Sequence, residues 1–251
     1  MEPYQKKFAR LLAESGALFF DRGLVLKDGR PSPYFVNMGM FRTGHLAWEI
    51  GGMLADMLVS TGMINQVDVL FGPSYKGSCL VAATAMALWH NHGINRLFEY
   101  DRKEAKTHGE GSTKASLMVN GSFYDGCRVL LVDDVATSMG TKYEMVDKIE
   151  HEAQRLGIEV HLAGLLIGLD RQQTEAVYDD QGRIMVGRRG ENASEKFTQK
   201  TGLTVAALAG IKEVVNYIFE SGIEVLVAGQ RRPINQELLT EFNTYLDTYG
   251  V

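Results

Sequence analysis

Arg128-Val-Leu-Leu-Val-Asp-Asp-Val-Ala-Thr-Ser-Met-Gly-Thr141 is the stretch whose reading decides the fold. Val129 to Val132 form an aliphatic run with no polar alternation, the pattern of a central strand in a parallel sheet covered on both faces. The run stops at two carboxylates, which places the strand end at Asp133. From Met139 or Gly140 onward the spacing is helical, with Tyr143, Val146 and Ile149 on one stripe. The acidic pair and the hydroxyl turn therefore lie between a strand and a helix, at the carboxyl edge where open α/β sheets bind ligands.

The chemistry of that turn narrows the ligand. Thr137, Ser138, Gly140 and Thr141 offer hydroxyls and backbone N–H groups at a helix N-terminus, whose partial positive charge suits a phosphate monoester. Asp133 and Asp134, as ionised carboxylates, only accept hydrogen bonds, so they suit the two hydroxyls of a ribose, or Mg²⁺. One turn holding both sets describes a ribose 5-phosphate binder. The plainer alternative is a strand end with solvated Asp residues followed by an N-capped helix. A second motif must decide between them.

Outward from this stretch, strands and helices alternate. Tyr4 to Ser15 is an amphipathic helix ended by Gly16, and short extended pieces then flank the turn signal Asp28-Gly29. Phe41 to Ser60 reads as a helix. Val67 to Phe71 is a buried strand that runs into Gly72-Pro-Ser-Tyr-Lys-Gly77 and a helix through Trp89. Arg96 to Tyr100 is the next strand, followed by the charged loop Asp101 to Thr113. Val160 begins a strand that ends near Asp170-Arg171; Ala193 to Lys200 is a helix, Leu203 to Leu208 a strand and Ile211 to Glu220 a helix. Gln230 to Pro233 reads as a break before a last helix over about 235–249, and Asp179-Asp-Gln-Gly-Arg183 predicts an inserted hairpin over about 176–190. The alternation predicts an α/β fold with a central, mostly parallel sheet flanked by helices.

Composition sets the frame. The 251 residues are 45% hydrophobic, enough for one core in a single domain spanning 1–251. A formal net charge of −5 gives no reason to expect nucleic acid or an anionic membrane as partner. No apolar run approaches the length of about 20 residues that spans a bilayer. Cys79 and Cys127 read as small core residues in a reducing compartment, and the polar N-terminus lacks a targeting pattern, so a cytoplasmic protein is expected.

Taken singly, the remaining candidates have ordinary readings too. Tyr34 and Phe35 suit core packing, Lys76 a solvated turn, and Arg171 an ion pair with Asp170 or a surface carboxylate. Arg102, Lys103, Lys106 and His108 fall within seven residues and suit a solvated charged surface.

The motifs together are more specific. Val-Leu-Leu-Val-Asp-Asp-Val-Ala-Thr-Ser-Met-Gly-Thr resembles the phosphoribosyl-pyrophosphate (PRPP) signature of the type I phosphoribosyltransferases. That family usually passes from Thr to Gly through one small residue, whereas here Ser138 and Met139 intervene. Leu-Lys-Asp-Gly-Arg-Pro-Ser-Pro-Tyr-Phe35, Gly-Pro-Ser-Tyr-Lys-Gly77, the loop Arg-Lys-Glu-Ala-Lys-Thr-His-Gly-Glu-Gly111 and Leu-Asp-Arg-Gln172 resemble segments of its orotate phosphoribosyltransferase branch.

The resemblance implies a type I phosphoribosyltransferase fold with a small N-terminal hood over about residues 1–40, and transfer of phosphoribose from PRPP to orotate. It implies that Lys27 approaches the reactants, that Tyr34 and Phe35 line the orotate pocket, that Tyr75 and Lys76 contact pyrophosphate, and that Arg171 meets the orotate carboxylate. Thr137, Ser138, Gly140 and Thr141 would take the 5′-phosphate, and Asp133 and Asp134 the ribose hydroxyls. A homodimer with shared sites is implied, in which Arg102, Lys103, Lys106 and His108 act in the partner's site. Mg²⁺ is implied as cofactor, held mainly by PRPP and water. Two other readings stay open: transfer to a different base, and a PRPP-sensing regulator without catalysis.

Overall fold

The computed structural model of the chain describes residues 1–102, 116–136 and 138–251. Among these residues the central sheet has five parallel strands in the order β4-β3-β5-β6-β7: β3 is Val69–Gly72, β4 Leu97–Tyr100, β5 Cys127–Ala136, β6 Val160–Asp170 and β7 Val205–Gly210. Successive residues of the aliphatic run part to opposite faces. Val129 and Leu131 join Val69, Phe71, Leu165 and Ile167 in one buried cluster, while Leu130 and Val132 join Leu70, Leu166 and Leu208 in another. Both faces are covered, which is why the run shows no polar alternation.

Helices supply the covers. On one face pack α1 (Pro3–Glu14), α2 (Gly44–Ser60), α3 (Lys76–His92) and α6 (Ile211–Glu220), and on the other α4 (Gly140–Leu156) and α5 (Ala193–Thr201), while α7 (Gln236–Tyr249) packs instead against Phe20 and Tyr34 near the N-terminal end of the chain. At about 1.5–3 kcal/mol for each fully buried aliphatic side chain, these two layers dominate the stabilisation. No helix among the described residues is long and apolar enough to cross a membrane.

Three sequence expectations need correction. The strand does not end at Asp133: β5 continues to Ala136 because the longer β6 still offers ladder partners, Ile167 to Asp133 and Leu169 to Val135. Gln230–Pro233 is no break but the strand β9, paired with β8 (Glu224–Val227). Those two strands complete a second sheet, in the order β2-β1-β8-β9, with β1 (Leu18–Val25) and β2 (Pro31–Val36). The hood thus draws on both ends of the chain. Finally, Cys127 is buried as expected but Cys79 is exposed on α3. The segment at 176–190 forms a tight excursion closed by one antiparallel bridge, Tyr178 to Ile184.

Chain order reverses direction across the sheet between β3 and β5. β4 lies on one side of β3 and the chain then returns to place β5 on the other, so the turns after β3 and β5 face each other at the carboxyl edge. This is the switch point at which such sheets open a crevice.

Candidate active site

A cavity of about 850 Å³ occupies that crevice. The turn after β3, the end of β5 and start of α4, the hood turn at residues 26–30 and the segment after β6 all contribute to its wall. Of the sequence candidates, Lys27, Phe35, Tyr75, Lys76, Asp133, Asp134, Ser138, Thr141 and Arg171 line it.

Asp133 and Asp134 sit in the last residues of β5 and point to different partners, as strand alternation requires. Asp133 is paired with Lys142 Nζ at 2.7 Å and Asp134 with Lys76 Nζ at 3.0 Å. The first pair is deeply buried, with side-chain exposures of 9% for Asp133 and 5% for Lys142. Lys142 also donates to the Val135 carbonyl at 2.8 Å. Burial pushes the Asp133 carboxyl above its ordinary value, and the adjacent Lys142 ammonium opposes that rise.

Lys142 was missed from sequence. A lysine in the first turn of a helix faces the positive end of the helix dipole, and its burial costs free energy unless an anion pairs with it. That unfavourable placement beside two aspartates was the available signal.

Within the hydroxyl turn Met139 is the N-cap residue of α4, and its side chain offers no capping oxygen. Met139 is 1% exposed and packs with Met145 and Ile149 beneath the turn. The extra residue therefore points into the core while Ser138, Gly140 and Thr141 stay exposed. Ser138 and Thr141 line the cavity, and Gly140 opens the helix beside them. Thr137 lies outside the described residues.

Opposite, the turn after β3 is held by backbone contact. A Cβ on Gly72 would lie 2.3 Å from the Gly77 carbonyl oxygen, so only glycine permits this return of the chain. Asp101, 3% exposed and not singled out from sequence, accepts from Ser74 N at 2.6 Å and pairs with Lys148. The turn presents Tyr75 and Lys76, which are exposed. Arg102 follows Asp101 and does not line the cavity. Lys103, Lys106 and His108 lie outside the described residues.

At the hood end, Arg171 is 4% exposed, with its guanidinium carbon 4.7 Å from the centre of the Tyr34 ring. Its Nε donates to Tyr34 Oη at 3.4 Å, while its Nη2 has no hydrogen-bond partner among the described residues. A buried guanidinium N–H without a partner at a cavity wall is a site for an incoming carboxylate. Arg171 is not engaged with Asp170, whose carboxylate accepts instead from Gln172 N at 2.7 Å.

Tyr34 itself is fully buried, against Phe242 at 5.3 Å and Tyr245 at 5.8 Å between ring centres, and it does not line the cavity. Alternation along β2 explains the split, since Phe35 faces the cavity and Tyr34 the core. Desolvation pushes the Tyr34 phenol up to about 12, with Arg171 opposing. It is the platform under Arg171. Among the described residues no group of three or more His, Cys, Asp or Glu is gathered to hold a metal ion.

No protein-family model matches the chain. Individual proteins match it along nearly its whole length. It is 34% identical over 248 residues to an orotate phosphoribosyltransferase of Bifidobacterium adolescentis, covering 97% of this chain and 96% of that one. To one of Klebsiella pneumoniae it is 33% identical over 251 residues, covering 100% of both. Among solved structures, the orotate phosphoribosyltransferase of Francisella tularensis superposes with a TM-score of 0.71 at 28% identity, covering 98% of each chain. An adenine phosphoribosyltransferase of Leishmania donovani, 15% identical, shares the fold with a TM-score of 0.50 over 82% of this chain and 80% of that one. With a fold of the type I phosphoribosyltransferases and relatives above 30% identity over nearly its full length, the chain belongs to the orotate phosphoribosyltransferase family.

Proposed function

We propose that the chain transfers the 5-phosphoribosyl group of PRPP to orotate, giving orotidine 5′-monophosphate and pyrophosphate in pyrimidine synthesis. The observation that carries this reading is one cavity joining an uncapped helix start, two aspartates and the unpartnered N–H of Arg171. The 5′-phosphate rests on Ser138, Gly140 and Thr141 with Thr137. Asp133 and Asp134 accept from the ribose hydroxyls, Lys76 and Tyr75 meet the pyrophosphate, and Arg171 and Lys27 hold the base near Phe35. The C1′–O bond to pyrophosphate breaks with positive charge developing at C1′, a C1′–N bond to orotate forms, and the proton of that orotate ring N–H leaves to the departing pyrophosphate or to water. The aspartates favour that charge, so positioning and electrostatics supply the acceleration.

Mg²⁺, held chiefly by PRPP oxygens and water with Asp134 as a nearby hard oxygen donor, would neutralise the leaving pyrophosphate when bound. A homodimer is part of the reading, with Arg102, Lys103, Lys106 and His108 serving the partner's site. Exposed Cys79, Met86 and Trp89 along α3 form an apolar stripe next to Tyr75 that supports a second copy as occupant. Both thiols are free, in keeping with a reducing, cytoplasmic setting.

The deciding assay follows loss of orotate absorbance on adding PRPP and Mg²⁺, with uracil, hypoxanthine and adenine in parallel. Turnover with orotate alone, abolished by a chelator, is expected. Silence with every base despite PRPP binding would make the chain a PRPP sensor, and turnover of another base would reassign the pocket.

A further inference from the structure

The excursion after β6 has no role in the chemistry above, yet Glu175, Ala176 and Tyr178 line the cavity beside Lys27, Phe35 and Arg171. It is held at its base: Thr174 N donates to the Tyr249 carbonyl at 2.8 Å, Gly187 N to Tyr249 Oη at 2.7 Å, and Lys196 Nζ to Glu175 at 2.8 Å. Its tip is closed by Arg183, whose Nε donates to the Asp179 carboxylate at 2.9 Å.

From this anchored base the excursion grips the hood turn that carries Lys27. Tyr178 Oη donates to the Asp28 carbonyl at 3.2 Å. Ile184 packs on Gly29, whose φ of +88° and missing side chain permit the approach, since a Cβ there would lie 3.2 Å from Ile184 Cγ2. On the inner side Arg30, 2% exposed, bonds the Asp28 carboxylate at 2.6 Å and the Thr174 carbonyl at 2.8 Å. Residues 27–30 are thus clamped between the excursion and the body. Tyr178 keeps a half-exposed ring at the cavity wall while its hydroxyl is used in the clamp.

We propose that Tyr178 is a positioning and specificity residue for the planar pyrimidine base. Its hydroxyl fixes the Lys27 turn through Asp28, and its ring walls the base end of the cavity. The assignment rests on orotate being the acceptor. A clamp on the hood turn acts on the base rather than on the hydroxyl turn at the start of α4, so it predicts a split between the two substrates.

The test measures steady-state kinetics of the full chain and its Tyr178→Ala and Tyr178→Phe variants, with thermal unfolding in parallel. Tyr178→Ala should raise the orotate KM about tenfold while the PRPP KM stays within about twofold, and Tyr178→Phe, which keeps the wall, should raise the orotate KM about threefold. An orotate KM within twofold of wild type in Tyr178→Ala overturns the proposal. So does an equal rise in both KM values, which marks general loosening. If wild type itself turns over no orotate, the parent reading falls; wild-type turnover with an unaffected Tyr178→Ala removes only this assignment.

Discussion

Lys142 Nζ lies 2.7 Å from an Asp133 carboxylate oxygen, at the bottom of the cavity where neither side chain is more than a tenth exposed. Removing one member leaves the other charge buried without a partner, a loss of about 3–5 kcal/mol. Lys142→Met should therefore destabilise the chain by roughly that amount in urea titrations, and it should raise the PRPP KM by freeing Asp133 from its fixed direction. Lys142→Met combined with Asp133→Asn should recover at least about 1 kcal/mol of the loss, since no charge is then stranded. Strict additivity of the two single variants would show that the pair is not coupled.

Arg171 offers a planar fork whose Nη2 is unpartnered among the described residues. Losing a charge-assisted bond to a carboxylate costs about 2–3 kcal/mol, so Arg171→Ala should raise the orotate KM by roughly 30- to 150-fold with the PRPP KM nearly constant. Arg171→Lys should rescue little, because an ammonium cannot present two parallel donors. Isothermal titration with orotate separates these outcomes; undiminished orotate binding in Arg171→Ala would place the carboxylate elsewhere.

Met139 is 1% exposed beneath the hydroxyl turn at the start of α4. Truncation to alanine should cost about 2–4 kcal/mol through the cavity it leaves, and the displaced turn should bind PRPP more weakly. Thermal unfolding and PRPP titration read the two effects, and an unchanged melting temperature would mean that Met139 does not anchor the turn.

Asp68 accepts from Arg128 Nε and Nη2 at 2.8 Å each, across β3 and β5 at the edge away from the site. The Arg128 guanidinium holds the Asp68 carboxyl down to about 2, below its ordinary 3.8. A depressed folded-state value means that the pair's stabilisation is present above about pH 4 and is lost as pH falls toward 2. Arg128 is solvated, so screening leaves the pair a small contribution. Asp68→Asn should lower stability by no more than about 1 kcal/mol at pH 7 and converge with wild type near pH 2. A constant gap at all pH values would assign the loss to packing.

The sequence by itself determined the parallel sheet, the ligand edge and most of the helices. Those features rest on local signals: the aliphatic run at Val129–Val132, the glycine turns at Gly72 and Gly77, and the hydroxyls before α4. Only the tertiary structure decided which groups meet. Lys142 pairs with Asp133 because the helix turn folds back on the strand end, and Tyr34 lies under Arg171 because β2 alternates against α7. The hood closes with β8 and β9 from the far end of the chain, a pairing that short strands of four residues do not announce. Side-chain partners separated by nine residues, as Asp133 and Lys142 are, or by 137, as Tyr34 and Arg171 are, depend on how the layers stack, and no local pattern of residues encodes that meeting.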